Sequence, residues 1–181
     1  FSLGKKSIDC LVGHDFGSIV AAHASVIRPD IFKSVVLMSA PFNGMPTIEV
    51  NNVNKQSDIH KDLKNLKKPR KHYQWYYSSN TANDDMSNSK QGMKDFLRAY
   101  YHVKSGDWKY NNPFKLKAWS ANELEKMPGY YIMNYNLGMA EQVSLEMPTN
   151  KEIDNCKWLT EKELDYYVNV FINTQFQGGR S

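Results

Sequence analysis

The fold of this chain is decided by the stretch Ile8–Ser18, which reads IDCLVGHDFGS. Its first half is an apolar run that predicts a short buried strand, and apolar residues at helical spacing follow it from Ile19 to Ile27. Between the two lies the pattern Gly-x-Asp-x-Gly. A turn this sharp forces its central residue, Asp15, into strained backbone geometry, and small neighbours such as Gly13, Gly17 and Ser18 suit it.

The predicted turn presents Asp15 at the top of a strand and at the N-terminus of a helix. This is the strand-turn-helix context of a nucleophile elbow, with Asp where serine hydrolases carry Ser. A carboxylate held there can attack an electrophilic carbon to form an ester, which water then cleaves. The helix N-terminus favours the anion, and the amide of Phe16 is placed to donate to the developing oxyanion. The alternative reading is a turn in which Asp15 only caps the helix.

The next segments predict an α/β unit followed by helices. Arg28-Pro29 ends the first helix, and residues 32–40 predict a second buried strand, parallel to the first. Residues 43–70 are polar and predict a mostly irregular segment. Three later segments predict helices. One is an amphipathic run at 93–103, and the other two begin with capping boxes at Ser120–Glu123 and Thr160–Glu163. We therefore expect three parts, and they are a core over 1–42, a helical lid over 43–175 and a return to the core over 176–181.

Composition narrows the possible classes of function. The chain has 181 residues and a net charge of +4, with both signs interspersed. Its densest basic run, from Lys61 to Lys71, predicts a solvated face without interleaved aromatic residues, so no nucleic-acid partner is expected. Cys10 and Cys156 have no metal-ligand spacing and are expected to be buried free thiols in a reducing compartment. No metal, cofactor or membrane segment is predicted, and the expected location is cytoplasmic.

The motif Gly13–Ser18 resembles that of the α/β-hydrolase-fold epoxide hydrolases, together with Arg28-Pro29-Asp30 and the run VVLMSAPF at 35–42. Segments around His72-Tyr73 and Tyr166-Tyr167 resemble the lid of the same family. The resemblance implies an α/β class, with a partial α/β-hydrolase fold made of an elbow strand-helix-strand unit and a helical lid. It also implies a small hydrophobic epoxide and water as substrates. Oligomeric state is not predicted.

The resemblance implies a role for two lid tyrosines, which donate hydrogen bonds to the epoxide oxygen as the ring opens. Tyr73 and Tyr167 match these positions, with Tyr76 and Tyr166 as the neighbouring alternatives. Each tyrosine equally suits a packing role. The residue after the nucleophile favours an epoxide hydrolase over a haloalkane dehalogenase. Similar haloalkane dehalogenases hold the halide with the indole N–H of a Trp at this position, and Phe16 has no such donor.

The resemblance further implies a His-Gly-x-Pro loop before the elbow, and a catalytic His and an acid after the lid. None of these is found in the 181 residues, and His14 is expected to be a satisfied structural side chain. We therefore expect a fragment of such an enzyme that is alkylated at Asp15 without completing turnover. The alternatives are a non-catalytic remnant of the fold, a partner-binding protein, and a haloalkane dehalogenase-like hydrolase.

Overall fold

A computed structural model describes residues 4–45 and 58–179 of the chain. Contacts divide the chain into a first unit, residues 1–54, and a second unit, residues 55–181. The predicted boundary after residue 42 stays a prediction, because residues 46–57, where the two units join, lie outside the described residues. The last two residues of the predicted return segment, 180 and 181, lie outside them as well.

The first unit consists of strand β1 (Leu11–His14), helix α1 (Phe16–Ile27) and strand β2 (Val35–Met38). The two strands are parallel, in a register that pairs Leu11 with Val35 and His14 with Met38. The order strand, helix, parallel strand is therefore as predicted, and α1 ends directly before Arg28-Pro29. This order places the turn between β1 and α1 beside the carboxyl end of β2.

The predicted burial of the two strands is wrong for the part of the first unit that the structure describes. Val12 is 59% exposed and Val36 is 46% exposed. Helix α1 buries Ala21 and Ala22 on this small sheet, and no other described element of the unit covers the strands. Cys10, which was expected inside the first strand, precedes β1 and is exposed, whereas Cys156 is half-buried, and both thiols are free.

The second unit is mainly helical and contains one two-stranded sheet. Its elements are α2 (Ile59–Lys64), β3 (Arg70–His72), α3 (Tyr73–Tyr77), α4 (Ala82–Ser87), α5 (Gly92–Val103), α6 (Ala121–Leu124), β4 (Ile132–Asn134), α7 (Met139–Ser144), α8 (Asn150–Asn155) and α9 (Glu161–Thr174), followed by a 3-10 turn (Gln177–Gly179). Strands β3 and β4 are antiparallel. Helix α5, which the amphipathic run at 93–103 predicted, packs between α7 and α9 and buries Phe96 and Leu97.

Within the segment 43–70, which was predicted to be mostly irregular, the described part contains helix α2, and Asp58 caps it by accepting hydrogen bonds from the amides of His60 and Lys61. Two predictions about this unit need correction. The helical lid also contains strands β3 and β4, which are too short for a periodic signal. The Ser120 capping box does not form, since the Glu123 carboxylate accepts from the Lys117 amide and pairs with Lys126. The capping box at Thr160 is confirmed.

In residues 4–45 and 58–179, no helix combines the length and the apolar character that crossing a membrane requires.

The close approach of β1 and α1 explains one of the two glycines that flank Asp15. A Cβ built on Gly13 would lie 2.1 Å from the carbonyl oxygen of Gly17 and 2.8 Å from the Cβ of Ala21. Both distances are far below van der Waals contact, so only glycine fits at position 13. A Cβ built on Gly17 meets nothing within 4 Å. The packing therefore requires Gly13, and the space around Gly17 does not require glycine.

The substitution Gly13→Ala is expected to destabilise the first unit by about 1–3 kcal/mol, the usual cost of overpacking. Hydrogen exchange at the amides of β1 and β2 measures this loss as faster exchange. Gly17→Ala is the matched control, and it should leave exchange unchanged or slow it, because alanine favours a helix over glycine by about 1 kcal/mol. Equal acceleration by the two substitutions would contradict the role of the close approach.

Candidate active site

Asp15 adopts a backbone conformation that side-chain-bearing residues rarely occupy, with φ 55° and ψ −121°. Such strain costs about 1–3 kcal/mol and persists only where neighbours hold it in place. Two backbone hydrogen bonds do so. The Asp15 amide donates to the carbonyl of Met38 in β2 at 3.0 Å, and the Asp15 carbonyl accepts from the amide of Ser18 at 3.0 Å.

The side chain of Ser18 stabilises the turn by hydrogen bonds to β1 and β2. It is fully buried, and its Oγ lies 2.7 Å from the carbonyl oxygens of both Gly13 and Met38. The single hydroxyl hydrogen serves one of these carbonyls at a time, and Oγ also accepts from the Met38 amide at 2.9 Å. Ser18 therefore links β1, β2 and the first turn of α1. The sequence predicted only that Ser18 is small enough for the tight turn. No sequence pattern indicates the hydrogen bonds that its hydroxyl makes.

The two oxygens of the Asp15 carboxylate have different environments. Oδ2 accepts a hydrogen bond from the Phe16 amide at 2.8 Å. Oδ1 has no hydrogen-bond partner within residues 4–45, and the side chain is exposed. One oxygen is thus held by a backbone donor at a helix N-terminus, and the other is available for attack on an electrophile. If Oδ1 forms an ester, the Phe16 amide already points at the remaining carbonyl oxygen.

His14 does not behave as the expected satisfied structural side chain. It is exposed, and its ring makes no hydrogen bond to any other residue of the described part of the first unit. His14 is the last residue of β1 and follows Gly13, so the two side-chain positions are on opposite faces of the sheet. No described element of the first unit covers the face of the sheet on which His14 lies.

The first predicted lid tyrosine, Tyr73, opens helix α3 and is half-buried in a group of rings. Its amide donates to the carbonyl of Tyr131 at 2.9 Å, and its ring centroid lies 5.4 Å from that of Tyr131 and 5.6 Å from that of Tyr77. His72 caps α3, since its Nδ1 accepts from the Gln74 amide at 3.3 Å. Burial, and then the nearby His60, lower the pKa of His72, which keeps its ring neutral and able to accept this bond.

The second predicted lid tyrosine, Tyr167, lies on α9 and is 41% exposed. Its ring centroid is 5.5 Å from that of Tyr101 on α5. The neighbouring candidate Tyr166 is 68% exposed. Helix α9 is held on α5 by the buried guanidinium of Arg98, which donates to the Leu159 carbonyl at 2.9 Å and pairs with Glu161.

A continuous series of tyrosine contacts joins the two predicted positions within the second unit. Tyr73 contacts Tyr77, whose hydroxyl lies 3.3 Å from that of Tyr100. The Tyr100 ring is 6.1 Å from that of Tyr101, which in turn contacts Tyr167. The structure therefore places Tyr73 and Tyr167 on one aromatic cluster. Asp15 lies in the other unit.

Two phenols of this cluster, those of Tyr77 and Tyr101, remain protonated at neutral pH. Burial raises the pKa of Tyr77 far above its ordinary value, and the neighbouring Tyr100 raises it further. Burial and the adjacent Tyr167 also raise the pKa of Tyr101. Tyr77 and Tyr101 are therefore neutral phenols that can donate hydrogen bonds.

The sequence prediction missed Tyr77, Tyr100, Tyr101 and Tyr131 as members of this cluster. Tyr100 and Tyr101 belong to the amphipathic face of α5, which was recognised as a packing face. Tyr77 is one helical turn from Tyr73, a spacing that brings side chains together. Tyr131 comes from a segment 58 positions away, and only the β3–β4 pairing brings it beside Tyr73.

Among solved structures, the chain is similar to an epoxide hydrolase from an endophytic Streptomyces, with a TM-score of 0.61 and 20% sequence identity. The match covers 98% of this chain and 44% of that one, so the chain spans less than half the length of that enzyme. No protein-family model matches the chain, and no curated protein matches it in sequence. At this level of identity, the chain is a mixed helix and strand protein whose fold is similar to that of an epoxide hydrolase.

Proposed function

We propose that the chain carries the nucleophile and the lid of an epoxide hydrolase, with Asp15 as the nucleophile. The observation that supports this role most is the strained turn at Asp15, which leaves Oδ1 unpartnered within residues 4–45 and holds Oδ2 on the Phe16 amide. Strain of this kind is stored where function uses it. A residue that only caps a helix has no need of a positive φ, because ordinary caps adopt extended backbone geometry.

The proposed first step is the opening of the epoxide. Oδ1 of Asp15 attacks one epoxide carbon and forms a C–O bond, while the bond from that carbon to the epoxide oxygen breaks. The oxygen leaves as an alkoxide and takes a proton from a phenol. The product of this step is a hydroxyalkyl ester of Asp15, whose carbonyl oxygen is Oδ2, within reach of the Phe16 amide.

Tyr73 and Tyr167 are the proposed phenol donors, as the resemblance implies. The half-buried position of Tyr73 supports its role, because a hydrogen bond donated in a site that excludes water stabilises a developing charge more than one in solvent. Tyr167 is on the same aromatic cluster but is more exposed, so its role rests more heavily on the resemblance.

The second step, hydrolysis of the ester, needs a base that activates water. Two histidines of the chain are already engaged, because the Nδ1 of His72 caps α3 and the Nδ1 of His23 bonds the Ile19 carbonyl. None of the five histidines matches the family's base. We therefore propose that these 181 residues accumulate the ester, because the base that hydrolysis requires has no counterpart among their histidines.

Incubation of the chain with styrene oxide is expected to add the mass of one epoxide to Asp15, located by peptide mass spectrometry. The exposed Cys10 is a competing nucleophile, so the experiment uses a Cys10→Ser, Cys156→Ser background. Asp15→Asn in that background should abolish the adduct, since a neutral amide is a poor nucleophile. A folded protein that remains unmodified at Asp15 would reject the enzymatic role and favour a non-catalytic one.

Tyr73→Phe is expected to slow this alkylation by about 100-fold, the usual effect of removing one donor to a developing oxyanion. Tyr76→Phe is the control, because the Tyr76 hydroxyl is 3.4 Å from the Asp85 carboxylate and belongs to the packing of α3. The rate is measured in a single turnover by quenching and mass spectrometry. Equal rates for the Tyr73 and Tyr76 variants would exclude Tyr73 as a donor.

Tyr167→Phe is tested separately against Tyr166→Phe, its more exposed neighbour. We expect slower alkylation for Tyr167→Phe, by a factor comparable with that for Tyr73→Phe, and no change for Tyr166→Phe. An unchanged rate in Tyr167→Phe, with a reduced rate in Tyr73→Phe, would assign Tyr167 to packing against Tyr101 and leave the role of Asp15 intact.

A further inference from the structure

The second unit contains a cavity of about 390 Å³ that belongs to neither predicted tyrosine position. Its volume is in the range of small-molecule sites, which run from roughly 300 to 1,000 Å³. Much of the cavity wall consists of five aromatic side chains, those of Trp108, Tyr110, Phe114, Tyr130 and Tyr131. Such a wall suits a ligand with a flat apolar ring.

Three rings of the wall, those of Trp108, Tyr130 and Tyr131, are held in place by their contacts. Trp108 is only 7% exposed, and its indole N–H donates to the Glu146 carboxylate at 3.2 Å. Its ring centroid lies 6.1 Å from that of Tyr130, which lies 4.6 Å from that of Tyr131. Phe114 is 51% exposed, which places it at the mouth, with Trp108 at the deep end.

Among the residues that line the cavity, Lys126 is charged, and it is paired with Glu123. The Lys104 ammonium lies 5.2 Å from the ring centroid of Tyr130 and 5.7 Å from that of Tyr131, so it interacts with the π-face of these rings. No acidic side chain of the described residues lines the cavity, so the lining is not built for a cationic ligand. Leu116 and Met127 add apolar surface. The hydroxyls of Tyr130 and Tyr131 have no hydrogen-bond partner within residues 58–179, and they are available to a polar substituent on the ligand.

Tyr131 connects this cavity to the proposed reaction. It lines the cavity, its ring contacts that of Tyr73, and its carbonyl accepts the Tyr73 amide. We propose that the cavity binds the aromatic group of an aryl-substituted epoxide whose reactive end is directed to Tyr73. This inference rests on the proposed function for the identity of the reactive group, and on the cavity alone for the aromatic group.

Binding is tested with 1-phenyl-1,2-ethanediol, which cannot alkylate Asp15, and with its cyclohexyl analogue, which has the same carbon skeleton without a flat ring. The readout is the ¹³C-methyl resonance of Met127, assigned with Met127→Leu. The phenyl diol should shift this resonance saturably through its ring current. The cyclohexyl diol should bind roughly three- to tenfold more weakly, the range that one aromatic contact contributes.

Substitutions at the mouth locate the site. Phe114→Ala is expected to weaken binding of the phenyl diol roughly three- to tenfold. Trp119→Ala removes an exposed aromatic residue of the same loop that does not line the cavity, and it should leave the affinity unchanged. Tyr110→Leu is a second variant, at another exposed residue of the wall, and it should also weaken binding of the phenyl diol roughly three- to tenfold. No saturable shift at Met127, or equal affinities in Phe114→Ala, Tyr110→Leu and Trp119→Ala, would overturn the inference.

The outcomes separate this inference from the proposed function. Diol binding with an unreactive Asp15 would refute the reaction and keep the cavity as an aromatic binding site. Alkylation of Asp15 by styrene oxide without diol binding at Met127 would refute the cavity as the site of the aromatic group and keep the reaction.

Discussion

The arrangement at Asp15 depends on the hydrogen bonds between the turn and the end of β2. The Met38 carbonyl accepts from the Asp15 amide, and the Met38 amide donates to the buried hydroxyl of Ser18. A buried donor or acceptor left unsatisfied costs about 1–3 kcal/mol, which is similar to the cost of the strained backbone at Asp15. The strain therefore persists because relaxing the turn would leave the buried hydroxyl of Ser18 without the hydrogen bonds that it makes to Gly13 and Met38.

The close contact between Gly13 and Gly17 makes this arrangement possible. The backbone of α1 begins so near to β1 that no side chain fits at position 13, and that proximity brings Ser18 within hydrogen-bond distance of Gly13 and Met38. A helix that starts at this point directs its first amide, that of Phe16, at the Asp15 carboxylate. Strain, close packing and the position of the carboxylate are thus consequences of one backbone geometry.

Local signals in the sequence predicted the first unit well, because each of its features depends on neighbouring residues. The apolar run before Gly13, the helical spacing after Ser18 and the stop at Arg28-Pro29 predicted β1, α1 and their order. Burial was predicted wrongly, since it depends on what covers the strands and not on their composition. In the second unit, the β3–β4 pairing joins segments about 60 residues apart. Strands of three residues are too short to show a periodic pattern that would predict them. The contact between Tyr73 and Tyr131 depends on that pairing, so the resemblance could suggest Tyr73 but could not indicate Tyr131.

The central claim is that the two oxygens of Asp15 have distinct roles, with Oδ1 as the nucleophile and Oδ2 held by the Phe16 amide. A crystal structure of the cysteine-free chain after treatment with styrene oxide tests it most directly. The account predicts electron density for the hydroxyalkyl group continuous with Oδ1, and the Phe16 amide still hydrogen-bonded to Oδ2. Density joined to Oδ2, or an unmodified Asp15 in a crystal whose protein carries the adduct on another side chain, would contradict it.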